Sequence, residues 1–144
     1  SELFHRELSE RFRLIIQRFC SILNKKVDLY GRIKLRSLSV DFSVNVVKMC
    51  GGIKGHHSLV NQLERSATSI GANIHEANYA QSKADFVAKL QISLKECYET
   101  EYWLELFIKS GILEPETAKV LYAQCGTIRR LLISSINTAK QNAQ

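Results

Sequence analysis

The sequence contains few of the residues that break up a chain, with one proline and seven glycines among 144 residues. A many-stranded β protein needs turn residues at short intervals, so this scarcity argues against one and favours helices. Intrinsic disorder is also excluded, because 45% hydrophobic and 24% charged residues make an ordinary globular composition. The length is that of about one domain.

The sequence also lacks the patterns of a membrane span, a secretory signal and a zinc site. Its most apolar N-terminal stretch, residues 14–23, is interrupted by polar side chains and is shorter than the roughly 20 residues that a span needs. The cysteines are far apart in sequence, and none has a histidine at zinc-finger spacing. They are Cys20, Cys50, Cys97 and Cys125. Because each lies among apolar neighbours, we predict buried free thiols in a cytoplasmic protein with no membrane association.

The net charge of +6 is unevenly distributed along the chain. Residues 1–36 hold nine basic and four acidic residues, a net charge of +5, whereas residues 37–144 hold eleven and ten. We therefore predict two parts: a basic N-terminal segment over residues 1–36 and a helical domain over residues 37–144.

The N-terminal segment has the pattern of a basic amphipathic helix. Apolar side chains recur at helical spacing through residues 3–23. Arg11, Arg18 and Lys25 follow one another every seven residues along one flank of that apolar face. Residues 24–36 mix charges and show no sustained period, so they are predicted to be a linker.

Four further helices are predicted between residues 37 and 140. Residues 37–53 fit both an alternating strand and a helix, and the helix is favoured because no other segment offers a partner strand. The next helices are expected over residues 58–79 and 82–110, and the last begins near Pro115. Together they predict an all-α fold, an up-down-up-down four-helix bundle with the N-terminal helix as an extra element.

Ser82 and Asp85 have capping-box spacing at the start of the third of these helices, and Gly111 is expected to end it. Two acid-before-base pairs at i,i+4 are expected on this helix: Asp85–Lys89 and Glu105–Lys109. The helix also has a second apolar face, formed by Ile92, Trp103 and Leu106, which a monomeric bundle does not require. We predict that this face joins copies of the chain into a homo-oligomer.

A motif follows in the second helix of the bundle. Residues 62–77 read QLERSATSIGANIHEA and are followed by Ser82-Lys-Ala-Asp-Phe86, Leu90 and Glu96. The pattern Arg-Ser-x-x-Ser-Ile-x-x-Asn-Ile-x-Glu resembles the four-helix bundle proteins related to those encoded in intervening sequences of bacterial 23S ribosomal RNA genes.

The resemblance implies an up-down bundle assembled into a ring, often of five subunits, with no established catalytic activity. Similar bundles are accessory proteins of diversity-generating retroelements, in which a basic oligomer binds a reverse transcriptase and RNA. The positions that match the motif are Arg65, Ser66, Ser69, Asn73 and Glu76. This sequence differs from many relatives at Ala77, where they have glycine, and in its basic N-terminal extension.

The motif has two interpretations. Its side chains form either a polar groove that binds a ligand or nucleic acid, or buried polar contacts that hold helices or subunits together. The second is favoured, because buried polar groups require partners. Arg65 and Glu76 lie about 16 Å apart along one helix and need partners on neighbouring elements. A di-iron site would need two Glu-x-x-His motifs, which the sequence lacks, so no metal or cofactor is predicted.

No serine has a histidine and an acid at an interpretable spacing, and residues 51–55 lack the ending of a phosphate loop. We therefore predict a non-enzymatic binding protein that associates with RNA or DNA, or with an RNA-handling protein such as a reverse transcriptase. An oligomeric scaffold with protein partners only is the alternative, since charge runs are usually solvated faces. The candidate nucleic-acid contacts are Arg6, Arg11, Arg13, Arg18, Lys25, Lys26, Arg32, Lys34 and Arg36.

Overall fold

A computed structural model describes residues 2–142, with side chains from residue 5 onward. These residues form four helices and no strand, which confirms the all-α prediction. The helices are α1 (Glu2–Gly51), α2 (His57–Ala77), α3 (Lys83–Lys109) and α4 (Pro115–Gln141).

The prediction of a linker over residues 24–36 is wrong, because these residues lie inside α1, a single helix of 50 residues. The segment predicted as a separate helix, residues 3–23, forms the earlier part of the same element. Gly31 is the only strong helix breaker in the interval, and one glycine costs a helix only about 1 kcal/mol. The mixed charges come from lysine and arginine, which are good helix formers.

The helix favoured for residues 37–53 is also part of α1, which ends at Gly51. Phe42 and Val46 are buried, whereas Val40 and Val44 are exposed. The buried residues are therefore four positions apart, as on one face of a helix. The alternation that resembled a strand arises because valines also lie on the exposed face.

The chain contains two compact units, Ser1–Arg32 and Ile33–Gln144. The boundary lies four residues before the one predicted from charge. The described residues of the first unit all belong to α1, and their large apolar side chains from Leu8 onward are exposed.

The second unit contains the hydrophobic core, to which all four helices contribute. Its largest fully buried apolar side chains are Phe42, Val46, Leu63, Ile70, Leu90, Leu104, Phe107, Ile128 and Leu132. The short, small side chains of α2 let α1 approach closely. A Cβ on Gly71 would lie 3.4 Å from the Ser39 hydroxyl oxygen and 3.5 Å from the Ser39 carbonyl oxygen.

The ends of α3 follow the sequence closely. Ser82 Oγ accepts a hydrogen bond from the Asp85 amide at 3.1 Å, as a helix cap requires. Asp85 reaches back to the amide of Gln81 rather than to that of Ser82. Beyond the helix, Gly111 adopts a left-handed φ of 75°, which glycine accommodates without strain.

Three of the four cysteines are buried free thiols, as predicted: Cys50, Cys97 and Cys125. Burial raises the pKa of Cys50 to about 11. A hydrogen bond to Cys125, together with burial, raises the pKa of Cys97. The prediction is wrong for Cys20, which is exposed because its apolar neighbours belong to the first unit.

Candidate functional site

The motif residues of α2 lie at its contact with α3, and the two helices run antiparallel there. Ser66 is fully buried and donates to the Leu63 carbonyl oxygen, while Thr100 of α3 donates to Ser66 Oγ at 3.0 Å. One helical turn along, Ser93 donates to the Ile70 carbonyl oxygen at 2.9 Å. These bonds satisfy polar groups that would otherwise be costly in the core.

Arg65 is the exposed end of this contact and binds two carboxylates of α3. Its guanidinium donates to Glu99 Oε1 at 2.5 Å and lies 3.9 Å from Glu96 Oε1. Trp103 Nε1 donates to the same Glu99 oxygen at 3.2 Å. We call Arg65, Glu96, Glu99 and Trp103 the Arg65 cluster.

Glu96 is the least satisfied member of the Arg65 cluster. Its side chain is 18% exposed, and its Oε2 atom is buried without a hydrogen-bond partner among the described residues. Burial, and then the nearby charge of Glu99, raise the pKa of Glu96, while attraction by Arg65 lowers it in part. A carboxyl in this setting holds its proton to a higher pH than an exposed one.

The other motif residues lie further along α2. Asn73 donates to the Ser69 carbonyl oxygen at 2.8 Å, and both residues are half-buried. Glu76 pairs with Lys89 of α3 at 2.7 Å. The expected pair between Asp85 and Lys89 is therefore wrong, because Lys89 turns to the acid on the neighbouring helix instead.

Arg65 and Glu76 thus each find a partner on α3, and the motif residues are spread over three turns of α2 rather than gathered into one pocket. The geometry suits a seam that holds two helices in register. Among the motif residues and their partners on α3, no nucleophilic side chain is hydrogen-bonded to a general base. The other interpretation, that the motif forms a polar groove for a ligand or nucleic acid, stays a prediction.

An ion pair between α3 and α4 was missed from the sequence. Arg129 Nε donates to Glu101 Oε1 at 2.8 Å, and the two side chains are only 27% and 12% exposed. The Arg129 guanidinium also lies 5.9 Å from the centroid of the Tyr98 ring. A glutamate and an arginine 28 positions apart give no periodic signal, so only the packing of α3 on α4 brings them together.

The candidate nucleic-acid contacts all lie on α1. Eight of the nine are exposed, and the half-buried one, Arg32, pairs with Asp28 at 3.1 Å. Arg11, Arg18 and Lys25 keep their seven-residue spacing on one continuous helix. The region between residues 24 and 36 therefore presents its cations from a helix and not from a linker.

The three residues of the candidate oligomer face are not equivalent. Ile92 is 42% exposed, whereas Trp103 and Leu106 are half-buried and pack against the core of the second unit. The apolar surface that a second copy could contact on α3 therefore centres on Ile92, with Tyr102 57% exposed further along the helix.

No group of three or more potential metal ligands occurs among the described residues. Within the same part of the chain, no helix is long and apolar enough to cross a membrane.

The four helices, with a core contributed by each of them and polar pairs between α2, α3 and α4, define an all-helical protein. Residues 32–134 match the model of the 23S rRNA-intervening sequence protein family. The chain belongs to this family, as the motif in α2 indicated. The match begins at the boundary between the two compact units, so the first unit lies almost entirely outside it.

A crystal structure supports the same assignment. It is of a protein of unknown function from the S23 ribosomal protein family of Bacteroides thetaiotaomicron VPI-5482. The two chains are 40% identical with a TM-score of 0.71, and the alignment covers 74% of this chain and 98% of the other. No curated protein matches the sequence.

Proposed function

We propose that the protein is a non-enzymatic binding protein that associates with RNA through the basic residues of α1. The observation that carries the proposal is the net charge of +5 on residues 1–36, whose cations are largely exposed on α1, whereas residues 37–144 are almost neutral. The name of the family, which refers to 23S rRNA, supports RNA as the nucleic acid.

The physical basis is counterion release. Each phosphate contacted by lysine or arginine frees a condensed cation, so affinity increases with the number of contacts and falls as salt is added. Cations at seven-residue spacing lie about 10 Å apart along a helix, close enough to follow one nucleic-acid backbone. An RNA-handling protein, such as a reverse transcriptase, is a further partner of the same assembly under this proposal.

The test measures binding of a fluorescent 30-nucleotide RNA by anisotropy between 50 and 200 mM salt. The full chain should lose affinity by a factor on the order of 10³ over this interval if six or more phosphates are contacted. A variant with six cations changed to glutamine should bind at least tenfold more weakly at 100 mM salt. Its substitutions are R6Q, R11Q, R13Q, R18Q, K25Q and K34Q.

The matched control removes the same number of exposed cations from residues 37–144. Its substitutions are K48Q, K54Q, K95Q, K119Q, R130Q and K140Q. Because net charge falls equally in the two variants, a general charge effect would weaken both alike. Equal loss in both variants, or undiminished binding by the first, would refute the assignment to the basic residues of 1–36.

The proposal includes self-association. We propose an up-down-up-down bundle, with connections at residues 52–56, 78–82 and 110–114, that assembles through the exposed part of α3 into a ring such as a pentamer. A cytoplasmic location agrees with the three buried free thiols. An oligomeric scaffold without RNA affinity is the second candidate, favoured by exposed Ile92 and Tyr102 on α3.

A further inference from the structure

The first unit carries a coiled-coil seam whose apolar side chains RNA binding does not use. From Leu8 to Leu29 the spacing alternates strictly between four and three residues, the pattern of positions a and d in a heptad. The d positions hold Leu8, Ile15, Ile22 and Leu29, and the a positions hold Phe12, Phe19 and Lys26. We call these seven residues the N-terminal seam.

The N-terminal seam is uncovered in the first unit. Phe12, Ile15 and Phe19 are between 62% and 65% exposed, and Leu8, Ile22 and Leu29 are between 52% and 58%. The positions next to d, at Ile16, Leu23 and Tyr30, add 45% to 68% exposed apolar side chains. Side chains of this kind recur over about three heptads, or six helical turns, and form a contiguous apolar stripe, which marks an interaction surface.

The charges beside the N-terminal seam are of one sign. The g positions hold Arg11, Arg18 and Lys25, and Lys26 occupies an a position within the seam itself. No e or g position between residues 8 and 30 holds an acid. Among the residues whose side chains are described, no carboxylate pairs with any of these four cations in a salt bridge.

These features select among the possible occupants. RNA could neutralise the cations but offers no aliphatic surface for Leu8, Ile15 and Ile22. A second copy would cover the apolar side chains but would bring the same cations and, in a parallel arrangement, a second Lys26 to the same layer. If the apolar stripe lay on a lipid surface, Lys26 would be in the middle of the apolar contact, and desolvating its charge would cost free energy.

We propose that the N-terminal seam binds an amphipathic helix of another protein, whose apolar a and d positions are flanked by acidic residues and which presents an acid opposite Lys26. Such a helix covers the apolar stripe and neutralises the row of cations at once. The single charged layer would fix the register of the two helices.

The test uses a synthetic acidic helix as the probe. A fluorescent four-heptad peptide carries Ile and Leu at a and d, Glu at e and g, and one Glu at the a layer intended to face Lys26. The control peptide differs only in having Lys at e and g. We expect the full chain to bind the acidic peptide at least 100-fold more tightly than the control, with affinity falling as salt is raised.

Variants of the chain locate the contact. I15S together with I22S should weaken binding of the acidic peptide at least 100-fold, because two core layers lose their apolar side chains. Leu14 is 63% exposed, as is Ile15 at 64%, but it points away from the seam, so L14S is the matched control and should bind normally. K26E should weaken binding at least tenfold. All four substituted positions are exposed, and helicity measured by circular dichroism verifies folding.

Three outcomes would overturn the proposal. Equal affinity for the two peptides would remove the charge complementarity on which it rests. A fall in the native mass of the I15S/I22S chain, without peptide binding by the parent, would make the seam a contact between copies. Dependence of RNA binding or of anionic vesicle binding on Ile15 and Ile22, again without peptide binding, would assign the seam to that ligand.

Discussion

At the scale of single residues, most polar atoms of the Arg65 cluster have hydrogen-bond partners, but one carboxylate, that of Glu96, does not have its full set. Arg65 and Trp103 both donate to Glu99, so that carboxylate has two hydrogen-bond partners. Glu96 receives a longer contact from Arg65 and has one buried oxygen without a hydrogen-bond partner among the described residues. The negative charge of Glu96 is therefore unfavourable in the folded protein.

Replacing Glu96 tests this electrostatic account. Because the pKa of Glu96 is raised in the folded protein, the folded state retains a proton that the unfolded chain has already lost, and stability falls as pH rises through that interval. E96Q does not titrate, so its free energy of unfolding should increase relative to that of the parent between pH 4 and pH 7.

Urea denaturation at several pH values measures this difference, with E105Q as the exposed control whose difference should stay flat. A constant or opposite trend for E96Q would mean that Arg65 stabilises the Glu96 charge by more than burial disfavours it.

At the scale of elements, the pairing of α3 with α4 depends on a polar contact within their packed surfaces. Glu101 and Arg129 are largely shielded from water, so breaking the pair leaves a charged group without its partner. The pair Glu105–Lys109 on α3 is also formed, at 2.7 Å, as the sequence predicted, but both of its side chains are more than half exposed. Exposed pairs of this kind contribute little.

We expect E101Q to destabilise the protein by about 2 kcal/mol, the usual contribution of a hydrogen bond to a charged group. E105Q removes one charge of the same sign from the same helix and should leave the denaturation midpoint unchanged. Equal effects of the two substitutions would show that Arg129 finds another partner or stays hydrated.

The helices also show which parts of the fold can be predicted from the sequence. The spacing of apolar residues, the capping residues, the glycine stop and Pro115 predicted the bounds of α2, α3 and α4 to within about two residues, because local chemistry determines these ends. The linker over residues 24–36 was mispredicted because the lack of a sustained hydrophobic period was interpreted as a break in the helix. Lysine and arginine are good helix formers, and the one glycine, Gly31, costs a helix only about 1 kcal/mol. Contacts such as Arg65–Glu99 and Arg129–Glu101 depend on tertiary packing, which one sequence does not encode locally.

At the scale of the whole molecule, the chain combines a family domain and an extension with different surface chemistry. The family match begins at residue 32, one residue before the second compact unit begins. Self-association is proposed for the second unit, through the exposed part of α3 around Ile92.

Light scattering tests this assignment. I92K should lower the mass of the assembly, because a charge at the centre of an apolar contact is costly to bury. V120K is the control, since Val120 is also an exposed apolar residue, at 59%, but lies on α4. Charging the half-buried Trp103 should have the same effect as I92K if that residue reaches the contact. Native mass in both α3 variants, with helicity retained, would rule out this face.

The most direct test of the central claim, that RNA binding belongs to the N-terminal segment and not to the family domain, is the salt dependence of RNA affinity for residues 1–144 and for residues 33–144. The shorter chain retains every residue of the buried core, and circular dichroism verifies its helicity. The account predicts a steep slope of log affinity against log salt for the full chain and a loss of most of the affinity and of the slope for the shorter one. The same affinity and slope in both chains would contradict it.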